Sequence, residues 1–352
     1  MVMKKIFLSA ALIATLFTGC SNELIDTGDF PDNPANPSID FTPMEFGVSE
    51  AITRGAQTAK SDITAYGVSA SIYPAANTYT TAGCGSYWFC DRIEAASGRS
   101  NHYWPGVSYR VSFFAYAPYG NAALTVRSKD DLGYPVYTYT VPTAIANQVD
   151  FITADVTDHS GAGITDPVPL TFSHQLTDVR FKVYNQGSSS ITVHSIAIYG
   201  VKYSGTFSGS TWTLNAAVNS SSSNPFLLSL GTSVDAGATV DVTGTTNHFI
   251  MLPQTVASGT DIFVVDATVS GVRKTYTSTL SSALELLRGR SYTFTLKLGE
   301  GSLIVDTDTD IQDWAVEVKY LTVSGVSTNG TFTQPSVTNG QGVGIEDWTE
   351  EE

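Results

Sequence analysis

From residue 38 onward, short runs of alternating apolar and polar residues follow one another along most of the chain. The runs are rich in Thr, Val and Tyr, and Gly, Asn, Ser and Pro separate them, which is the pattern of β-strands joined by turns. Only residues 281–289 have a helical pattern. The sequence therefore predicts an all-β protein built from β-sandwiches. The clearest predicted strands cover residues 63–73, 109–118, 134–141, 179–184, 191–200, 248–252, 261–269, 273–280 and 291–298.

The length of 352 residues indicates two domains, at roughly 100–200 residues each. The segment 157–167 is Gly-rich, polar and without periodicity, and we place the domain boundary there. We expect two tandem β-sandwiches of transthyretin-like or Greek-key type, one over residues 38–157 and one over 166–320. Residues 321–352 are interpreted as a C-terminal tail or as a donor strand for a neighbour.

The N-terminus has the pattern of an export signal. Lys4 and Lys5 precede an apolar run of fourteen residues, which is shorter than the roughly 20 residues of a membrane-spanning helix. The run ends at Cys20, and its last residues resemble a bacterial lipobox. We predict a lipoprotein signal peptide over residues 1–19 and a lipidated tether over 20–37. An ordinary cleavage site that leaves Cys20 unmodified is the alternative.

Composition argues against several classes of function. Charged residues make up 14% of the chain, the net charge is -15 at pH 7, and the sequence pI is about 4.6. With so few Lys and Arg, the chain cannot neutralise many phosphates, so nucleic acid is not an expected partner. The sequence offers no nucleophile–base pair and no phosphate loop. We therefore expect neither an enzyme nor a cofactor.

A few side chains carry a weaker chemical signal. Export would place Cys84 and Cys90 in an oxidising compartment, where a local disulfide between them is one reading and two unpaired core cysteines are the other. His174 lies beside apolar residues, and we interpret it as a packing residue. The acidic run 306–317 has the spacing of a calcium loop, but Ile311 stands where that loop requires Gly. No metal site is predicted.

Aromatic residues make up 11% of the chain, which raises the hypothesis of carbohydrate binding. The runs "YWF" at 87–89 and "HYWP" at 102–105 could present flat rings to a sugar. In a β-sandwich most such rings pack in the core, so burial of these residues is the competing interpretation.

Residues 38–48 have the pattern of an edge strand. The alternation of apolar residues changes phase at Pro43, and a bulge there would bring all the apolar side chains to one face. Removal of such a strand would expose an apolar groove that another strand could fill. The five apolar residues of this removable first strand are Ile39, Phe41, Met44, Phe46 and Val48.

Several segments form a recognisable order along the chain. They are the lipobox at Cys20, the first strand, "YWPGVSYRVSFFAYAPYGN" at 103–121, "QVDFITADV" and "VPLTFSHQLTDVRFKVYN" within 148–185, and "GRSYTFTLKL" with "IQDW" near the end. Taken together, they resemble the fimbrillin (Mfa-like, FimA-like) family of Bacteroidetes surface pilins. The resemblance implies a structural subunit of a fimbrium that reaches the outer membrane as a lipoprotein. It also implies assembly by donor-strand exchange.

Arg54 matches the position at which members of this family are cut by a trypsin-like protease. It is the first basic residue after Lys5, and small residues surround it in a predicted loop. A cut after Arg54 would remove the acyl anchor and the first strand together. A surface arginine without this role is the alternative.

The resemblance also defines the expected partners. They are other fimbrial subunits, an Arg-specific maturation protease, and the outer membrane through acyl chains. A tip adhesin or glycan-binding surface lipoprotein on the same scaffold is the alternative function, and it would add a host or glycan receptor. Residues 329–344 are polar and depart from the pattern of a donor strand, so stalk and tip positions both stay open.

Overall fold

The computed structural model describes residues 34–42, 64–80, 86–129, 134–162, 166–244, 247–299, 303–305 and 310–313. Over these ranges the chain forms β-strands and one short 3₁₀ turn at Ile145–Asn147, without an α-helix. None of its described helical segments has the length and apolar character needed to cross a bilayer. The predicted all-β class is confirmed.

The strands of the first half are β1 (Ser38–Asp40), β2 (Ala65–Pro74), β3 (Ser86–Glu94), β4 (Arg99–Tyr103), β5 (Tyr109–Ala117), β6 (Leu124–Lys129), β7 (Pro135–Thr140), β8 (Ile152–Ser160) and β9 (Ser173–His174). Those of the second half are β10 (Thr177–Asn185), β11 (Ile191–Ile198), β12 (Ser204–Ser208), β13 (Thr211–Leu214), β14 (Phe226–Val234), β15 (Thr239–Asp241), β16 (Phe249–Met251), β17 (Gln254–Val256), β18 (Asp261–Val269), β19 (Val272–Thr279), β20 (Leu284–Leu286), β21 (Arg290–Leu298), β22 (Leu303–Val305) and β23 (Asp310–Asp313).

A five-stranded antiparallel sheet with the order β3-β2-β5-β8-β9 supports the first hydrophobic core. Along β2, successive side chains point to opposite faces, and Tyr66, Val68, Ala70 and Ile72 all enter this core. β2 is buried on both faces, because Tyr73 on the other face packs into a small separate aromatic cluster. The two-stranded sheet of β1 and β4 contributes to the same first core.

Two further sheets enclose the second, larger core. One has the order β15-β10-β21-β22, with β16 paired to β10 and β23 paired to β21, and the other has the order β14-β11-β18-β19. β10 and β21 are parallel, whereas the second sheet is antiparallel. Phe181, Phe263 and Phe294 meet between the sheets, with ring centroids 4.9–6.0 Å apart.

A four-stranded sheet with the order β13-β12-β7-β6 links the two halves of the sequence. β7 lies within the predicted N-terminal domain, yet it pairs with β12 of the predicted C-terminal domain. Its Tyr137 and Tyr139, together with Phe151, belong to the second core. β8 also continues through Ser160, inside the predicted boundary segment. All described residues belong to one compact unit, so a division into tandem domains stays a prediction.

The helix predicted over residues 281–289 is wrong. Within that segment β20 is a strand that pairs antiparallel with β17, and Leu286 stands opposite Gln254. Leu286 is buried in the second core. The local helical preference of the Leu- and Glu-rich run is small, and pairing with β17 outweighs it.

Gly161→Ala should lower the stability of the fold. An added Cβ would lie 2.6 Å from the carbonyl oxygen of Gly106 and 2.7 Å from that of Tyr109, and backbone atoms cannot rotate away. Overpacking of this kind costs about 1–3 kcal/mol. Urea unfolding measures the effect. Gly231→Ala, where nothing lies within 4 Å of the added Cβ, is the matched control, and equal midpoints for the two variants would contradict the prediction.

Candidate functional site: the first-strand slot

β1 occupies a slot between two segments, and both bond to it. On one side β4 runs antiparallel to β1, with Asp40 opposite Arg99. On the other side Phe41 forms a parallel bridge with Val168. Within its sheet β1 has one strand partner, β4, as expected of an edge strand, and at residues 40–42 Val168 adds bonds on the other side. We call the space that it fills the first-strand slot, with β4 as one wall and residues 166–172 as the other.

Backbone hydrogen bonds hold the strand to both walls. The Phe41 N–H donates to the Gly98 carbonyl at 2.8 Å, and the Thr42 N–H donates to the Val168 carbonyl at 2.9 Å. The Val168 N–H in turn donates to the Asp40 carbonyl at 2.8 Å. Removal of the strand would leave these wall groups without their partners, and unpaired backbone groups are costly when buried.

The entry to the strand is held at the far end of β4. The Trp104 N–H donates to the Pro37 carbonyl at 3.0 Å, and the Asn36 side-chain amide donates to the Trp104 carbonyl at 2.7 Å. The Ser100 hydroxyl donates to the Ile39 carbonyl. The strand and the residues just before it are thus bonded along the whole length of β4.

Two large side chains of the strand fill the floor of the slot. Ile39 and Phe41 are both fully buried. The Phe41 ring packs edge-on against Phe113, with centroids 5.2 Å apart and planes at 85°. Burial raises the pKa of Tyr66 in the same core well above its ordinary value, so its phenol stays neutral. The floor is apolar and uncharged, which suits an alternating apolar strand.

Several residues of the predicted sites lie outside the described residues. They are the lipidation residue Cys20, the cleavage residue Arg54, the strand residues Met44, Phe46 and Val48, and Cys84. The described part of the predicted first strand is buried, as given above for Ile39 and Phe41. Cys90 lies in β3 and is disulfide-bonded, and the Ser69 hydroxyl contacts its sulfur at 3.4 Å. Pairing with Cys84 stays a prediction.

The remaining residues with a chemical signal are the predicted sugar-binding rings, His174 and the acidic groups. In the two runs predicted to bind sugar, Trp88, Phe89 and Trp104 are 6%, 5% and 1% exposed and offer no stacking face, whereas Tyr87, His102 and Tyr103 are half-buried. His174 is buried beside Asp150, in agreement with its interpretation as a packing residue. Within the described ranges, no group of three or more His, Cys, Asp or Glu residues could hold a metal ion.

Sequence reasoning missed most residues of the slot walls. Val168 lies in "VPLTF" at 168–172, whose apolar alternation was not interpreted as a strand, and β4 has the polar sequence "RSNHY". Trp104 was a further available signal, because a large apolar ring that follows a polar run is usually buried. The structure places it 1% exposed at the end of β4.

Comparison with known proteins places this chain in a family of surface proteins. The fimbrillin-like family profile matches residues 51–314. The chain belongs to the fimbrillin-like family. A search of curated proteins finds no match.

Two solved structures can be compared with this fold. A fimbrial protein from Bacteroides vulgatus has a TM-score of 0.52 at 18% identity, over 71% of this chain and 93% of that one. A protein described as a candidate for cell adhesion, from Bacteroides uniformis, has a TM-score of 0.45 at 16% identity, over 80% and 99%. At these identities the first comparison supports the fold alone.

Proposed function

We propose that this chain is a structural subunit of a cell-surface fimbrium, exported as a lipoprotein, cut after Arg54 and assembled by donor-strand exchange. Its place at the surface would begin with acyl chains on Cys20 in the outer membrane. Its partners would be other subunits and an Arg-specific protease. Membership of the fimbrillin-like family supports a fimbrial role, and the finer steps rest on the geometry of the slot.

The observation that carries the proposal is the position of β1 in the chain and in the fold. It is the first described strand, it is bonded on both sides, and its two core side chains are fully buried. A single cut between residues 42 and 64 would disconnect it from all later strands. Of the described strands, only β1 and the last strand, β23, can be released alone by one cut, and β23 pairs with β21 alone among the described strands.

The energetics favour replacement over an empty slot. Burial of Ile39 and Phe41 stabilises the fold by about 3–6 kcal/mol in total, at about 1.5–3 kcal/mol for each side chain. After release, that surface and the backbone groups of both walls would face water. A strand from a neighbouring subunit with the same apolar alternation would restore both contributions.

The alternative of a tip adhesin or glycan-binding lipoprotein has less support. Its expected stacking residues Trp88 and Trp104 are buried, and the two-wall slot suits a peptide strand. A tip position on the same scaffold remains compatible with the slot, because a tip subunit also accepts a strand.

N-terminal sequencing of fimbriae sheared from the cell surface tests the cut. We expect the mature subunit to begin at Gly55, because Arg54 is the cleavage residue of the proposal. Arg54→Ala should give acylated protein that begins at Cys20, and no sheared material. Lys60→Ala is the matched control, since it removes the next basic residue of the same segment. A mature subunit that begins at acylated Cys20 within assembled fimbriae would refute the assignment.

A further inference from the structure

Within the described residues, β4 has few backbone hydrogen bonds apart from those to the first strand. Among the strands that the structure describes, β4 pairs with β1 alone. Its link to β3 is the tight turn after Glu94, where the Gly98 N–H donates to the Glu94 carbonyl at 2.9 Å. When β1 leaves, β4 therefore loses its described sheet partner.

The opposite wall is better anchored. Leu170 and Phe172 are buried in the first core, and the Phe172 ring packs against Tyr66 with centroids 5.7 Å apart. The wall continues directly into β9, which pairs with β8 of the five-stranded sheet. Residues 166–172 thus keep their attachment whether or not the slot is filled.

Side-chain contacts from His102 tie β4 to the five-stranded sheet. The His102 ring lies flat on Phe89 of β3, with centroids 3.9 Å apart and planes within 3° of parallel. Its Nε2 lies 3.1 Å from Asp91 Oδ2, also on β3. Phe89 itself is buried and stands opposite Ala70 of β2. His102 therefore joins the wall to a strand that does not leave.

A second contact acts at the end of the wall. Trp104 stacks on His159 of β8, with centroids 4.8 Å apart, and packs against Phe113. Its backbone N–H and carbonyl, however, are bonded to Pro37 and Asn36, which would leave with β1. The contacts given for the His102 side chain are all to β3, so they do not depend on the first strand. The position of Trp104 does depend on it, through Pro37 and Asn36.

We propose that His102 is a positioning residue of the first-strand slot: its stack on Phe89 holds β4 in place while one strand leaves and another enters. This rests on the proposed strand exchange. Without the stack, the wall must be re-formed at each binding event, so the apparent affinity for an incoming strand falls by the fraction of molecules with β4 docked. An aromatic pair contributes about 0.5–1.5 kcal/mol, so its loss lowers the ratio of docked to undocked β4 about two- to tenfold.

The test uses the full chain, cut after Arg54, separated from the released N-terminal fragment and then incubated with a labelled synthetic peptide of residues 36–48. We expect His102→Ala to reduce peptide uptake about tenfold at equal peptide concentration. His102→Phe keeps a ring over Phe89 and should restore uptake to within about twofold of the unsubstituted chain. His102→Gln keeps a donor for Asp91 without the ring and should behave like His102→Ala. Uptake by His102→Ala equal to that of the unsubstituted chain would overturn the proposal.

A second measurement separates this inference from the proposed function. In the uncut chain, hydrogen exchange of the amides in β4 reports how often the wall opens. His102→Ala should speed that exchange about tenfold relative to β5, and His102→Phe should not. His194→Ala is the control, because His194 contacts Thr268 in the other half of the fold. If the cut chain takes up no peptide, the proposed strand exchange is refuted. If hydrogen exchange of the β4 amides is unchanged in His102→Ala, the proposed role of His102 is refuted.

Discussion

A disulfide between β1 and β4 should abolish the proposed assembly into a fimbrium while leaving the proposed cut after Arg54 unaffected. The pair Asp40→Cys with Arg99→Cys stands directly opposite in the antiparallel register. Opposed Cα atoms in such pairs lie about 4.5–5.5 Å apart, within the range of about 4.4–6.8 Å that disulfides require. The proposed export route passes through an oxidising compartment, so the bond would form before assembly.

The locked strand could not leave its slot even after cleavage, so no neighbour could replace it. We expect no fimbriae in sheared material, and a cut subunit that still carries its first strand through the disulfide. Thr255→Cys with Glu285→Cys is a matched lock between β17 and β20, away from the slot, and should permit assembly. Each single cysteine variant should also assemble. Fimbriae of normal yield from the locked variant would rule out exchange of the first strand.

Asp178→Asn should destabilise the fold by about 3–5 kcal/mol, because it removes the fully buried anion with which Arg180 pairs. Asp178 is fully buried at the start of β10, where Arg180 donates to Oδ2 at 2.6 Å and Ser291 donates to Oδ2 at 2.7 Å. His248 Nδ1 lies 3.1 Å from Oδ1, and its Nε2 lies 2.6 Å from the Gly244 carbonyl. Both ring nitrogens of His248 thus lie close to oxygen atoms of neighbouring residues.

The same cluster predicts a pH dependence. Burial by itself raises the pKa of Asp178. Interactions with His248, Arg180 and Ser291 lower it, and together they outweigh burial, so the pKa lies below its ordinary value. A carboxyl with a lowered pKa stabilises the fold fully above its unfolded pKa of about 3.9, and that contribution is lost as the pH falls through the folded pKa. The difference in unfolding free energy between Asp178→Asn and the unsubstituted chain should therefore shrink below about pH 4.

Urea unfolding at pH 7 and at several acidic values measures both effects. Asp266→Asn is the matched control, since Asp266 also pairs with an arginine, Arg273, but at an exposed site. That variant should leave the midpoint nearly unchanged, because exposed pairs contribute little. A similar small change for Asp178→Asn would mean that the buried cluster is not a net source of stability.

The all-β class could be predicted because strand periodicity is a local property of the sequence. Residues 291–298, for example, alternate cleanly, and β21 covers Arg290–Leu298. The burial of Ile39 and Phe41 follows from the same local pattern. Local patterns also misled: the Leu-rich run around Leu286 is strand because β17 lies beside it, and that neighbour is distant in the sequence.

Strand partners could not be predicted, because pairing depends on contacts between distant segments. The alternation in β7 correctly places Tyr137 and Tyr139 on a buried face, but it does not say which core they enter. In the same way, nothing local to Val168 predicts that it will flank the first strand, or that the polar β4 will be the other wall. The buried face of the slot was therefore predictable, and its walls were not.

The sheet formed by β6, β7, β12 and β13 restricts how such chains can be recombined. Its β7 belongs to the first half of the sequence, yet Tyr137 and Tyr139 fill the interior of the second half. In a hybrid of two parents, the residues at positions 137 and 139 would come from one parent and most of the core around them from the other. Their packing would then be poorer than in either parent. We therefore expect the two halves to be inherited together.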